Sequence, residues 1–160
     1  MKKIIALLAA VAMIYTSSTA ANASETDTYI CEEYQEYIYE ISSEYCICPE
    51  FVMAIVERES TGRANAKNGT CTGLMQVSSK WHKDRMERLG VTDLYDPYSN
   101  ILVGVDYLLE LFERYGDPGM VLMVYNGSSD AEIRWESGNY TDYALGILNR
   151  SEKLERIHGK

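Results

Sequence analysis

Residues Glu57–Gln76, ERESTGRANAKNGTCTGLMQ, close an apolar helix on two glutamates, turn through a short polar loop and restart on Gly-Leu-Met-Gln. The helix opens at Pro49, a residue tolerated in the first turn, runs through about Ser60, and has a stop signal in Gly62. On a wheel of about 100° per residue with Phe51 at zero, Ile55 falls near 40°, Val52 near 100° and Val56 near 140°. Glu59, at roughly 80°, lies in the middle of this apolar stripe, whereas Glu57 falls at roughly 240° and reads as a solvated helix charge. Burial on the apolar face disfavours a carboxylate anion, and so does the negative end of the helix dipole in the last turn. Both effects raise the pKa, as a general acid working near neutral pH requires. A glutamate at a helix end can also escape sideways to water or pair with an arginine, and the wheel alone leaves both readings open.

The pattern on either side is helical. Tyr34, Tyr37, Ile38, Ile41 and Tyr45 recur at spacings of three and four, with glutamates on the opposite side. Trp81 to Leu89 reads as a short helix, and Asp96-Pro97 starts a longer one with Ile101, Val105, Leu108, Leu109 and Phe112 on one face. Gly104 inside it costs stability unless a neighbouring backbone packs closely there. Another helix follows Gly116-Asp117-Pro118 and runs to about Tyr125, a loop spans Asn126 to Ser129, and Tyr140 to about Ile157 closes the chain. Alternating strand patterns and internal repeats are absent. The expectation is a single all-α domain, helical α+β at most.

Residues 1–23 read as a secretory signal peptide, with Lys2 and Lys3 at its start, an apolar run over Ile4–Ile14 and Ala21-Asn22-Ala23 as the cleavage site. The run is short for a membrane anchor, so no stable membrane insertion is expected once it is cleaved. A short polar lead, 24–33, precedes the domain proper at 34–160. Cleavage would remove two of 15 basic and none of 24 acidic residues, moving the net charge from −9 to −11. Such a chain is a poor candidate for gripping nucleic acid or an anionic membrane. The four cysteines, Cys31, Cys46, Cys48 and Cys71, all follow the leader, and an even count in an exported chain points to disulfides. The spacing Cys46-x-Cys48 does not fit a zinc ribbon, so no metal is expected, and His82 and His158 read as solvated surface residues.

The run YCICPEFVMAIVERESTGRANAKNGTCTGLMQVSSKW resembles the catalytic core of lytic transglycosylases related to soluble lytic transglycosylase and goose-type lysozyme. The matching parts are Glu59-Ser60, a loop of about a dozen residues, and Gly73-Leu74-Met75-Gln76. DPYSNILVGVDYLLEL follows with the family's Asp96, Pro97, Asn100 and Ile101, then MVYNGS with Tyr125-Asn126, then YTDYALGIL with Tyr143. The resemblance covers about Tyr34 to Arg150. Departures are Val124 for alanine, Gly127-Ser128 for Ala-Gly, and VSSKWH in place of Pro-x-Thr after the glutamine motif.

The resemblance implies a lysozyme-like fold in a secreted or cell-envelope monomer acting on peptidoglycan glycan strands without a cofactor. Glu59 would be the single catalytic acid/base in cleavage of the β-1,4 bond from N-acetylmuramic acid to N-acetylglucosamine, with formation of 1,6-anhydromuramic acid. Gln76 and Asn126 would hydrogen-bond the glycan, Ser60 next to the catalytic residue would contact substrate, Met75 and Tyr125 would shape the cleft, and the Tyr143 hydroxyl would hold Glu59. From the residues alone, Met75 and Tyr125 read equally as core, and Asn126 as a turn residue. A lysozyme-type hydrolase would need a second carboxylate, for which Asp96 and Asp130 are available, and a non-catalytic glycan-binding module is a further alternative.

Cys48 begins the Glu59 helix and Cys71 lies just before Gly73. The intervening loop is long enough to return along a helix of about 18 Å. A Cys48–Cys71 disulfide is therefore expected, with Cys46 as the competing partner for Cys71, and Cys31 too far from Cys46 along an unbroken helix.

Overall fold

The computed structural model describes residues 28–160; the expected leader lies outside the described residues. Seven helices are present among the described residues: α1 (Glu32–Tyr45), α2 (Pro49–Ser60), α3 (Lys83–Leu89), α4 (Pro97–Tyr115), α5 (Pro118–Tyr125), α6 (Ala131–Glu136) and α7 (Asp142–Ile157). Five of them close a ring of packing, α1 on α2, α2 on α7, α7 on α5, α5 on α4 and α4 back on α1. Asp96, Asp117 and Thr141 cap the starts of α4, α5 and α7 by accepting from Ser99, Met120 and Ala144 backbone N–H groups. Tyr34 and Tyr37 of α1 meet Tyr98 of α4 edge-on.

Between α2 and α3 lies a small antiparallel sheet in the order β1 (Lys67–Asn68), β2 (Cys71–Thr72), β3 (Val77–Ser78). Lys67 pairs with Thr72, and Thr72 in turn with Val77. Strands of two residues are too short for alternation to show in a sequence. The helix α6, six residues long, escapes a periodicity reading for the same reason.

The core forms around α2. Val52, Met53, Ile55 and Val56 have no accessible surface, although they point in several directions around the helix. Each such burial stabilises by about 1.5–3 kcal/mol. Because α2 has almost no solvent side, the expectation for Glu57 is corrected. Its side chain is only 8% exposed and is gripped by Arg150 of α7, Nε to Oε2 at 2.5 Å and Nη2 to Oε1 at 2.8 Å. Burial alone would raise its pKa, but the Arg150 hydrogen bonds outweigh that and lower it.

The expectations for the two histidines and the disulfide are corrected as well. α2 and α7 run antiparallel, which sets His158 against Glu50, Nδ1 to Oε1 at 2.8 Å. His158 is thus a partner of a buried carboxylate, while His82 packs on Tyr107 with ring centroids 4.6 Å apart. The Cys48–Cys71 bridge is not formed; Cys31, Cys46, Cys48 and Cys71 all carry free thiols. Cys48 sits at the start of α2, its Sγ 3.2 Å from Glu50 Oε2 and 3.7 Å from Glu155 Oε1. Cys71 belongs to the sheet at the other end, because the loop after Ser60 folds into strands there instead of returning along the helix.

Glu50 yields a test. It is wholly buried in the first turn of α2, and burial opposes its charge, yet Lys160 and His158 hold it at about 2, below the ordinary 4.5. A carboxyl group lowered by folding adds stability that is complete above about pH 4.5 and lost as pH falls toward 2. Denaturant unfolding of Glu50→Gln should therefore show lower stability at pH 7 and a shallower loss between those pH values than the parent. Parallel curves for the two proteins would exclude the effect.

Candidate active site

Glu59 lies in the last turn of α2, half-buried, and the Tyr143 hydroxyl from the first turn of α7 donates to its Oε1. Burial raises the Glu59 pKa; the Tyr143 hydrogen bond and the Arg58 charge lower it, but by less. Tyr143 stays a neutral donor, since burial and the neighbouring carboxylate both push its own pKa up. Arg58 stands over the Tyr143 ring at 5.7 Å. A carboxyl whose acid form burial favours, with one oxygen fixed by a neutral donor, is suited to delivering a proton and then serving as a base.

The Gly73–Gln76 loop is fixed from below by Asn100 of α4, which has no accessible surface. Asn100 Oδ1 accepts from Met75 N at 2.8 Å, and Nδ2 donates to Thr72 O at 2.8 Å and Leu94 O at 2.9 Å. Gly73 has φ +80°, and a Cβ there would lie 2.2 Å from Asn100 Nδ2, so both conformation and space demand glycine. Gln76 adopts a left-handed φ of 48°, a conformation that costs a non-glycine residue about 1–2 kcal/mol. Its Nε2 donates to Gly73 O at 2.9 Å, and the Tyr125 hydroxyl donates to Met75 O at 2.8 Å.

A cleft of about 760 Å³ opens beside this loop, lined by Gln76, Trp81, His82, Arg85, Tyr107 and Tyr125 among others. Glu59 is not part of its lining; it stands at the Tyr125 end, where its charge raises the Tyr125 pKa further after burial. On the far wall, Arg85 and Arg88 of α3 both pair with Asp106 of α4, and Arg85 also pairs with Glu110.

The Transglycosylase SLT domain family matches residues 36–144, well over half of the chain. The chain belongs to this family. A transglycosylase of Enterobacteria phage PRD1 is 35% identical over 104 residues, which are 64% of this chain and 37% of the phage protein. Invasion protein IagB of Salmonella typhi is 27% identical over 122 residues, 68% of this chain and 76% of that protein. The 70 kDa soluble lytic transglycosylase SLT70 of Escherichia coli superposes with a TM-score of 0.68 at 18% identity, over 79% of this chain and 25% of that one. An inactive mutant of the lytic transglycosylase Slt of Pseudomonas aeruginosa gives 0.67 at 18% identity, over 78% and 24%. These likenesses establish the lysozyme-like helical fold, and the chain spans little more than a third of the phage relative's length.

Within this SLT fold, the residues singled out in the sequence divide into two groups. Glu59, Tyr143, Tyr125 and Gln76 are brought together around one end of the cleft. Ser60, expected to contact substrate, is buried, with its hydroxyl donating to Val56 O within α2, and is not part of the cleft lining. Met75, expected on the cleft wall, has a wholly buried side chain, and its contribution is the backbone that Asn100 and Tyr125 hold. Asn126 is exposed at the end of α5, and Gly127, not Asn126, lines the cleft. The roles of Asn100, Tyr107 and His82 are not visible in the sequence. Asn100 and Tyr107 carried only a pattern match, and His82 sits before a helix whose facing is set by tertiary packing.

Gly104 is required by Met75, whose Sδ would lie 2.4 Å from a Cβ at that position, so the close neighbour is a side chain where a backbone was expected. Gly104→Ala gains about 1 kcal/mol of helix propensity but forces Met75 aside. It should lower both thermal stability and cleavage rate, and a stabilised, fully active variant would refute the coupling. Removing the Tyr143 donor eliminates a bond that lowers the Glu59 pKa, so Tyr143→Phe should shift the ionisation that governs kcat/KM upward. A pH–rate profile that stays in place would contradict that role.

Proposed function

We propose that the protein is an exported peptidoglycan lytic transglycosylase. It cleaves the β-1,4 bond between N-acetylmuramic acid and N-acetylglucosamine and leaves 1,6-anhydromuramic acid ends. The observation that carries this reading is Glu59, a half-buried carboxyl with a raised pKa and a fixed tyrosine donor, at the end of a glycan-sized cleft. Glu59 protonates the bridging oxygen as the bond to the muramic C1 breaks, and the substrate's 2-acetamido group stabilises the oxocarbenium-like centre. The resulting carboxylate takes the proton of the muramic C6 hydroxyl as that oxygen bonds to C1, closing the anhydro ring without consuming water. Gln76, on the cleft lining, positions the glycan, and Tyr143 steadies Glu59 through both steps.

A single carboxyl is favoured by what the two other candidates do. Asp96 is committed to the start of α4, and Asp130 pairs with Arg134 at 2.7 Å. The −9 net charge and the uncharged sugar backbone suit recognition by hydrogen bonds and rings. Residues 1–23 would deliver the chain to the cell envelope, where it acts as a monomer.

Mass spectrometry of muropeptides released by the purified protein should find anhydromuramyl products; mainly reducing muramic ends would assign hydrolysis instead. Glu59→Gln should fold normally and lose nearly all cleavage. Glu57→Gln, which breaks a mostly buried ion pair away from the cleft, should lose about 3 kcal/mol of stability and keep its chemistry below the lowered Tm. Equal activity in the two variants would remove Glu59 from the mechanism.

A further inference from the structure

We propose that Trp81 is the platform of a further sugar subsite, set along the cleft from Glu59, which takes the apolar face of one pyranose ring of the glycan strand. The identity of that sugar rests on the transglycosylase reading; the existence of the platform rests on geometry. Trp81 is 75% exposed, more than any other large apolar side chain among the described residues, yet it lines the cleft. It stands where the SLT pattern has Pro-x-Thr, so the family motif does not account for it.

The fold goes out of its way to present this ring. The sequence reads as a helix from Trp81, but α3 begins only at Lys83, and a turn closed by Trp81 N–H and His82 N–H on Ser78 O precedes it. That turn follows directly from β3 and Gln76, so the indole is tied to the loop that Asn100 fixes. Lys80 Nζ sits over the ring at 4.7 Å, which holds the turn's two long side chains together.

Between Trp81 and Glu59 the cleft wall is a series of rings. His82 packs on Tyr107 at 4.6 Å, and Tyr107 on Tyr125 at 5.5 Å. Tyr125 is the residue whose phenol senses the Glu59 charge. Tyr143, Tyr125 and Gln76 supply hydrogen-bonding groups at the Glu59 end, and beside the charged side chains of α3 an exposed indole face stands further out. This is the division expected of a site that grips a polar glycan at the reacting bond and holds the next unit by stacking. A pyranose carries its hydroxyl groups around the rim and C–H groups on its faces, which matches a flat, solvent-facing indole. The acidic chain makes such uncharged recognition the more effective choice.

The test uses the tetramer of β-1,4-linked N-acetylglucosamine as probe. Glu59→Gln stops turnover, and Trp135→Phe leaves Trp81 as the single tryptophan of the chain. Saturating tetramer should shift Trp81 fluorescence to shorter wavelength. By calorimetry, adding Trp81→Ala to Glu59→Gln should weaken tetramer binding roughly tenfold, and Trp81→Phe should recover most of it. In the active protein, Trp81→Ala should raise KM for long glycan strands by roughly tenfold with kcat little changed, the signature of lost uniform binding. Tetramer binding with unaltered Trp81 emission, or with equal affinity in Trp81→Ala, would overturn the subsite and leave the Glu59 reading standing. Absence of tetramer binding would overturn it as well. Peptidoglycan left uncleaved by a protein that still binds tetramer at Trp81 would instead sink the transglycosylase reading and uphold the subsite.

Discussion

One buried amide, Asn100, holds the floor of the cleft in place. Its carbonyl oxygen takes the Met75 N–H, and its amino group serves the Thr72 and Leu94 carbonyls, so the loop from Thr72 to Met75 and the segment at Leu94 converge on one side chain. Each bond contributes only about 1 kcal/mol net, but removing the amide would strand buried groups at about 1–3 kcal/mol each. The glycine pattern around it follows. Gly73 has no room for a side chain because Asn100 is there, and Gly104 has none because Met75 is there. With the backbone secured on both sides of Met75, Gln76 can be kept in a left-handed conformation that it would not adopt freely.

The second frame is the antiparallel contact between α2 and α7, along which three glutamates of one helix meet different fates. Glu50 faces His158 and Lys160, and Glu57 faces Arg150; cationic partners outweigh burial and keep both carboxylates charged. Glu59 faces the neutral phenol of Tyr143, so burial wins and the acid form is favoured. Nothing in the intrinsic chemistry of the three side chains differs. The register of α7 decides which of them is an ion-pair anchor and which is left with a raised pKa.

This explains why the sequence was legible in some places and not in others. The long helices and the apolar setting of Glu59 follow from periodicity, and the Asp96 and Asp117 caps from residue type beside proline. Glu57 misled because a wheel assumes one buried face, whereas α2 is enclosed on most sides and Arg150 lies 93 residues away. The disulfide expectation failed for a related reason. Loop length permitted a return to Cys48, but the sheet that holds Cys71 at the Glu59 end is made of two-residue strands that no periodicity reveals. The start of α3 was misplaced by two residues, and those two, Trp81 and His82, are among the residues that line the cleft.

The wall opposite the Gln76 loop is built on a different principle from the floor. No residue of α3 is fully buried, and its apolar contribution is limited to Met86 and Leu89, which are partly buried against the core. Its attachment to α4 is electrostatic and aromatic: Asp106, nearly buried, lies between Arg85 and Arg88, and Arg85 also covers the Tyr107 ring at 5.1 Å. Burial would raise the Asp106 pKa, but the two arginines outweigh it and keep the carboxylate charged. The positive charge of Arg85 is thereby spent inside the wall, on Asp106 and Glu110, and not offered as a free cation to the cleft. A floor fixed by hydrogen bonds in the core thus faces a wall fixed by ion pairs at the surface.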